Sequence, residues 1–339
     1  MMQENDLGGK LLVGVSRSFY LTLKALPEGL REPLSLAYLL ARAADTLADT
    51  SSVPGSVRLE LLREFDRLVQ GEVRDEAGET QLCDRLRIDF MPLQEDQAEA
   101  RLLERLPEAL EAFRHFPARQ MIAMRGVLDP IVRGQILDIE RFPEDGSLRA
   151  LQTSGELDDY TWLVAGCVGE FWTRLCAEEL TDAFSKGTST DQMIERGIRY
   201  GKGLQLVNIL RDIGKDSRLG RCYFPQEELL AHGLNLSEIH HDPSKLMPVM
   251  TAWHLKCREH LEGGLEYVEA LEHKRLRYAT ALPLLLGYRT LALIEKADAA
   301  TLLRGVKVSR GEVTKLLFDA GLASLRRGGI GKMVEKLRS

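Results

Sequence analysis

Two short stretches of the chain carry acidic side chains at a spacing that could hold a metal ion. In "YLLARAADTLADT", Asp45 and Asp49 lie four residues apart and Arg42 precedes them. On a helix that turns ~100° per residue, these three residues and Tyr38 fall within roughly 60° of one another. The remaining positions are mostly leucine and alanine, which favour a buried helix. Such a polar stripe is either a solvated face or the lining of a polar site.

The second stretch, "GKGLQLVNILRDIGKD", repeats this arrangement with Arg211 beside the first acid. Within roughly 80° of the helical wheel lie Gln205, Asn208, Asp212 and Asp216. Two stripes of this kind in one chain favour a polar site over two solvated faces. Carboxylates one helical turn apart suit Mg²⁺, which keeps positions open for water and phosphate oxygens. We expect the four aspartates to bind Mg²⁺ with an anionic substrate, because they would otherwise repel one another.

The elements that must position these residues are helices. Helical periodicity recurs along most of the chain, and no alternating strand with hairpin signals is evident. The breaks between periodic segments are short, and no flexible linker or fixed repeat is visible. The sequence therefore predicts an all-α protein with a single domain over residues 1–339.

Composition excludes several classes of protein. A net charge of −6 argues against a nucleic-acid binder, which normally carries a basic field. The five cysteines form no CxxC pair, and their scatter is typical of a reducing compartment. The polar, acidic N-terminus is unlike a signal peptide, and the longest apolar run is broken by Pro283, Gly287 and Arg289. We expect a cytoplasmic protein without a transmembrane anchor.

At this point the chain resembles a known family, the head-to-head prenyl synthases (squalene, dehydrosqualene and phytoene synthases). The resemblance rests on "DTLAD" and "NILRDIGKD", together with "SRSFYLTLKALP", "YTWLVAGCVGE" and "GRCYFPQEEL" in the same order. It covers most of the chain. It implies an isoprenoid synthase fold around a central cavity, a prenyltransferase activity, and two molecules of farnesyl diphosphate as substrate.

The resemblance also implies roles for individual residues. Metal binding falls to Asp45, Asp49, Asp212 and Asp216. Substrate binding falls to Ser16, Arg17, Ser18, Phe19, Gln205, Asn208, Arg218 and Arg221. Catalytic roles in ionisation and in proton transfer fall to Tyr38, Arg42, Tyr160 and Arg211. One position departs from several relatives, because Leu163 stands where they carry a further tyrosine. Tyr160, Tyr38 or the diphosphate itself would then accept the proton.

The small residues after Tyr160 allow two interpretations. Val164, Ala165, Gly166 and Gly169 either leave room in a cavity or let helices pack closely.

The C-terminal region bears on which member of the family this is. The segment "GVKVSRGEVTKLLFDA" is similar to one in squalene synthases that use NADPH, and it places Lys307 and Arg310 where they could meet the phosphates of that cofactor. The asparagine-bearing stretch that precedes it in those enzymes reads "EKADAATLLR" here. We therefore expect a squalene synthase using Mg²⁺ and NADPH. The alternatives are a dehydrosqualene or phytoene synthase without reductant, and a catalytically silent helical scaffold.

A helical extension is expected at about residues 300–339. Its basic end, "RRGGIGKMVEKLRS", is either a solvated helix end or a site of peripheral membrane contact. We expect a monomer. The sequence leaves open whether the substrate is C15 or C20 and whether the product is squalene, dehydrosqualene or presqualene diphosphate.

Overall fold

The computed structural model describes residues 7–16, 19–72, 76–239 and 243–338. In these ranges the chain is helical apart from turns and short β pairings, so the all-α prediction is confirmed. The chain divides into two compact units, Met1–Glu140 and Arg141–Ser339.

The first unit consists of eight α-helices within the described residues. Their bounds are α1 Leu12–Ser16, α2 Phe19–Ala25, α3 Glu28–Asp49, α4 Gly55–Gln70, α5 Glu76–Arg85, α6 Gln97–Glu104, α7 Leu106–Arg114 and α8 Ala118–Arg141. Shorter turns of π and 3₁₀ helix span Leu7–Leu11, Leu86–Phe90 and Met91–Leu93.

Helix α3 is the centre of the first unit. Apart from the half-buried Ala41, its leucines and alanines between Leu36 and Ala48 are buried, and α3 packs against α4, α6 and α7. Burial of each leucine contributes on the order of 2 kcal/mol of hydrophobic free energy. The polar stripe of α3 is therefore carried on a helix whose other faces are fixed by packing.

The second unit begins with a two-residue strand and is otherwise helical in the part of the chain described. Its elements are β1 Arg149–Ala150, α9 Ser154–Thr161, α10 Cys167–Glu179, α11 Thr190–Arg218, β2 Arg221–Cys222, α12 Gln226–Ala231, α13 Met247–Glu269, α14 Lys274–Lys296, α15 Ala299–Arg304, α16 Arg310–Ala323 and α17 Gly329–Arg338. A π-helical turn, Trp162–Gly166, joins α9 to α10, and 3₁₀ turns span Leu236–Glu238 and Pro243–Leu246. The two strands pair in parallel, with Arg149 opposite Arg221 and Ala150 opposite Cys222.

Helix α11, of 29 residues, is the centre of the second unit. It begins with a capping box, in which Ser189 and Gln192 each satisfy a backbone N–H group of the other. Helices α10, α13, α14 and α15 pack around it. The chain turns away after α11 at Gly220, whose φ of +80° suits glycine.

Glycines allow α11 to approach its neighbours closely. A Cβ atom at Gly169 of α10 would lie 1.9 Å from the carbonyl oxygen of Gly197 in α11. A Cβ atom at Gly214 would lie 1.9 Å from the carbonyl oxygen of Leu303 in α15. Of the two interpretations of the small residues after Tyr160, close packing therefore applies at Gly169.

No helix in the described ranges is long and apolar enough to cross a membrane. All five cysteines are free, and burial raises the pKa of the Cys222 thiol to about 12.

Gly169→Ala should lower the free energy of unfolding by about 2–3 kcal/mol, because α10 and α11 must move apart to admit the methyl group. Gly321→Ala is the matched control. A Cβ atom at Gly321 in α16 would make only an ordinary contact of 3.8 Å with the Tyr278 ring. The control should be neutral or gain up to about 1 kcal/mol from helix propensity. Urea denaturation of both variants measures the difference, and equal effects would contradict the close approach.

Candidate functional site

The first acid pair lies at the C-terminal end of α3. Asp45 is 31% exposed, and Asp49, one turn later, is exposed. The Arg42 guanidinium forms ion pairs with Asp45 and with Glu99 of α6. The Gln135 side-chain amide of α8 donates a hydrogen bond of 3.0 Å to Asp45 Oδ1. Three helices thus contribute to this cluster.

The electrostatics of this cluster favour a cation. Burial and the nearby charge of Asp49 raise the pKa of the Asp45 carboxyl to about 7, although Arg42 and Gln135 act in the opposite direction. A carboxyl group whose charge is this costly is stabilised by any added positive charge. For Arg42, the Asp45 and Glu99 carboxylates outweigh the effect of burial and raise its pKa.

The residues near the N-terminus that were predicted to bind substrate are partly described. The Phe19 ring packs on the Tyr38 ring with 5.1 Å between centroids, and the Tyr38 hydroxyl donates to the Val15 carbonyl oxygen at 3.1 Å. The Ser16 hydroxyl donates to the Leu12 carbonyl oxygen. Arg17 and Ser18 lie outside the described residues. Tyr38 therefore connects this segment to the polar stripe of α3.

A buried arginine fixes the chain directly after Asp49. The Arg58 side chain is 1% exposed, and its guanidinium donates to the carbonyl oxygens of Ala48 and Val53. Because buried carbonyl groups need partners, Arg58 stabilises the end of α3 that carries the acid pair.

The second acid pair lies in the last two turns of α11. The Arg211 guanidinium donates to both oxygens of the neighbouring Asp212 carboxylate at 2.8 and 2.5 Å, and these bonds raise the pKa of Arg211. Asp216 follows one turn later and is half-buried. The Asn208 amide is exposed and donates to Gln205 Oε1 at 3.3 Å. The stripe predicted from the sequence is thus present on one helix, with an arginine held against its first acid.

The two predicted substrate-binding arginines at the end of α11 and directly after it occupy different settings. Arg218 is exposed, and its guanidinium donates to the Leu303 carbonyl oxygen of α15 at 3.2 Å. Arg221 begins β2 and lies opposite Arg149 of β1. Arg218 therefore holds the end of α11 against α15, near the close approach at Gly214.

Tyr160 belongs to a buried aromatic group. Its ring stacks on Tyr223 with centroids 5.0 Å apart, and the two hydroxyl oxygens are 3.4 Å apart. The Phe142 ring packs edge-on against Tyr223 at 5.2 Å. Leu163, three residues after Tyr160, is 6% exposed.

The two C-terminal cations lie where α16 begins. Lys307 and Arg310 are exposed, and neither forms an ion pair with a described residue. Reciprocal hydrogen bonds between Ser309 and Glu312 cap α16, so its first turn is fixed. A helix N-terminus flanked by cations attracts phosphate groups.

The donor set of each acid pair fits Mg²⁺. Carboxylate oxygens are its preferred protein ligands, and one or two carboxylates suffice when phosphate oxygens complete the coordination. Among residues 7–16, 19–72, 76–239 and 243–338, no three or more His, Cys, Asp or Glu side chains are grouped so as to hold a metal ion. At a site of this kind, oxygens of water and of the substrate would complete the coordination.

Three side chains in these clusters were missed by sequence reasoning: Glu99, Gln135 and Tyr223. Glu99 and Gln135 lie 57 and 90 residues from their partners in α3. No local spacing signals such contacts. Tyr223 stood in the "GRCYFPQEEL" stretch, but nothing there indicated that it stacks on Tyr160.

Comparison with known proteins agrees with these features. The squalene/phytoene synthase family model matches residues 12–312. A squalene synthase of Botryococcus braunii is 26% identical over 317 residues, which cover 90% of this chain and 62% of that protein. A squalene synthase of Candida albicans is 25% identical over 330 residues, which cover 94% of this chain and 68% of that protein. The matched region thus spans about two thirds of the length of each of these relatives.

Solved structures give the fold. The structure of TcSQS with a bound ligand superimposes with a TM-score of 0.74 at 21% identity, covering 98% of this chain and 90% of that one. A dehydrosqualene synthase superimposes with a TM-score of 0.58 at 20% identity, covering 94% and 97%. These similarities confirm the predicted isoprenoid synthase fold. With two arginine-accompanied acid pairs on helices of this fold, and a family match that includes both, the chain belongs to the squalene/phytoene synthase family.

Proposed function

We propose that this protein is a squalene synthase, which joins two farnesyl diphosphates head to head through presqualene diphosphate and then reduces the product. The observation that carries the proposal is the pair of DxxxD stripes, each with an arginine against its first aspartate. A scaffold would have no need of a carboxylate whose charge is as costly as that of Asp45.

In this proposal Asp45, Asp49, Asp212 and Asp216 hold Mg²⁺. When bound there, Mg²⁺ would neutralise negative charge on the diphosphate and so make it a better leaving group. A guanidinium has five donors, so Arg42 can keep Glu99 while donating to a diphosphate oxygen. Arg211 can likewise donate to a diphosphate oxygen while it remains paired with Asp212. Their charge stabilises the charge that grows on the leaving group.

The chain's own residues also bear on the proton lost when the cyclopropane ring forms. The Tyr38 hydroxyl donates to the Val15 carbonyl oxygen, and a phenolic oxygen can accept as well as donate. The Tyr160 and Tyr223 hydroxyls lie side by side, a second candidate for moving a proton. Either group could serve in place of the tyrosine that Leu163 replaces.

The proposed reduction of the product by NADPH depends on two residues at the start of α16. Lys307 and Arg310 would bind the phosphates of NADPH, which supplies the reducing equivalent when bound. A dehydrosqualene synthase is the second candidate, because the stretch "EKADAATLLR" lacks the asparagine of reductive relatives.

The purified protein with farnesyl diphosphate and Mg²⁺ should form squalene only when NADPH is present. Mass spectrometry identifies the hydrocarbon. Asp45→Asn and Asp212→Asn should each abolish diphosphate release, since an acid pair loses one of its two carboxylates, while circular dichroism stays unchanged. Dehydrosqualene formed both with and without NADPH would favour the dehydrosqualene synthase. Normal turnover by either variant would refute the metal site.

The apparent affinity for Mg²⁺ alone should rise roughly tenfold between pH 6 and pH 8. The Asp45 carboxyl has a pKa raised to about 7, so below that pH a proton competes with the metal for the oxygens. Calorimetric titration measures this. Asp45→Asn should lose the pH dependence and bind weakly, whereas Glu335→Gln, at an exposed position of α17, should behave as the unsubstituted protein. An affinity that is constant over this range would contradict the assignment.

Lys307→Ala should leave presqualene diphosphate formation intact and slow the reductive half about tenfold, since a phosphate contact is lost. Presqualene diphosphate should then accumulate with NADPH present, measured by radiolabelled substrate. Lys274→Ala, which removes an exposed lysine at the start of α14, is the control. A parallel loss of both halves in Lys307→Ala would show that the residue does not act on NADPH.

A further inference from the structure

The basic C-terminal helix does not present an apolar face to solvent. Ile330 and Val334 of α17 are fully buried, and α17 packs on α13 and α14. Its basic residues remain at the surface, but its hydrophobic side chains already stabilise the second unit. A surface that binds an apolar partner must therefore lie elsewhere.

Helix α16 carries such a surface. Phe318 and Leu322, one helical turn apart, are 69% and 57% exposed, and Leu325 in the following turn is 56% exposed. Single exposed apolar side chains are common on protein surfaces, but adjacent ones of this size mark interaction sites. We name Phe318, Leu322 and Leu325 the α16 apolar patch.

The exposure of this patch is built into the fold. The buried Arg277 guanidinium donates to the Ser324 carbonyl oxygen at 3.1 Å. Glu269 accepts hydrogen bonds of 2.8 Å from the backbone N–H groups of Gly328 and Gly331. These bonds fix the turn that follows α16, so the segment that carries the end of the patch is held in place.

The charge around the patch is positive. Residues 310–339 contain seven Lys and Arg against three Asp and Glu, whereas the whole chain has 45 against 51. The nearby carboxylates paired with arginines are Glu262, Glu272 and Glu312. Among the cations, Lys315, Arg326 and Lys332 are exposed and form no ion pair within the described ranges. Their charge is available to an anionic partner.

The patch continues into a trough of 830 Å³ between α16 and α17. Leu316, Met333 and Leu337 line its apolar part. Its charged lining contains more cations than carboxylates, with Lys315, Lys332 and Lys336 among the cations and Glu312 and Asp319 as the carboxylates. This combination matches a lipid, which has a hydrocarbon chain and an anionic head group.

We propose that the α16 apolar patch and its surrounding lysines and arginines bind the surface of an anionic lipid bilayer. Apolar side chains would enter the boundary between head groups and acyl chains, while the cations meet lipid phosphates. A second copy of the chain fits less well, because a two-fold interface would bring Lys315, Arg326 and Lys332 close to their own equivalents. The inference uses no substrate, so it stands apart from the proposed function.

Sedimentation with vesicles tests this proposal. The full chain should bind vesicles of phosphatidylcholine mixed with phosphatidylglycerol, and binding should weaken with added salt and be roughly tenfold weaker to phosphatidylcholine alone. Two variants separate the two contributions: Phe318→Ser with Leu322→Ser removes the apolar part, and Lys315→Gln with Arg326→Gln and Lys332→Gln removes the charge. Each should lower partitioning about tenfold.

Ile122→Ser is the matched control, because Ile122 of α8 is 68% exposed and lies in the other unit. It should leave partitioning unchanged, and thermal melts should show that all variants are folded. Three results would overturn the proposal: no binding of the unsubstituted protein to anionic vesicles, equal loss of binding in Ile122→Ser, or a dimer that Phe318→Ser dissociates in the absence of vesicle binding. An acidic protein partner would likewise appear as a failure to bind vesicles.

Discussion

Repulsion between carboxylates one helical turn apart is the constraint on which both clusters depend. Each pair sits on a helix whose apolar faces are packed, so its two carboxylates stay one turn apart and repel each other. An arginine forms an ion pair with the first acid of each pair: Arg42 with Asp45, and Arg211 with Asp212. On α3 this is not enough, because the pKa of Asp45 remains raised. An added cation would therefore stabilise the cluster on α3.

Rigid helices hold these charges in place. Helix α11 reaches within backbone contact of α10 at Gly169 and of α15 at Leu303, which leaves it little freedom to shift. Helix α3 is fixed at its C-terminal end by the buried Arg58. Sites on packed helices keep their geometry better than sites on loops, and a reaction with short-lived cations would require that precision.

Helix α16 and the turn after it carry two different kinds of surface within a short stretch of the chain. The start of α16 offers cations beside a helix N-terminus, and its further turns offer exposed apolar side chains among cations. The apolar side of α17 is buried at Ile330 and Val334, whereas α16 and the turn after it expose theirs. If the product is a water-insoluble hydrocarbon, a membrane-facing surface on the same protein would place product release near the bilayer.

The sequence by itself determined the helical class, both acid stripes and the family, because each depends on residue spacing within one helix or on short motifs. The ~100° turn per residue is enough to place Asp45 with Asp49 on one face. Only the tertiary structure decided that Glu99 and Gln135 join them, that Tyr223 stacks on Tyr160, and that Gly169 serves packing. It also decided that α16 rather than α17 exposes its apolar face. These are contacts between residues that lie far apart along the chain. They are determined by the packing of whole helices, which local periodicity does not encode.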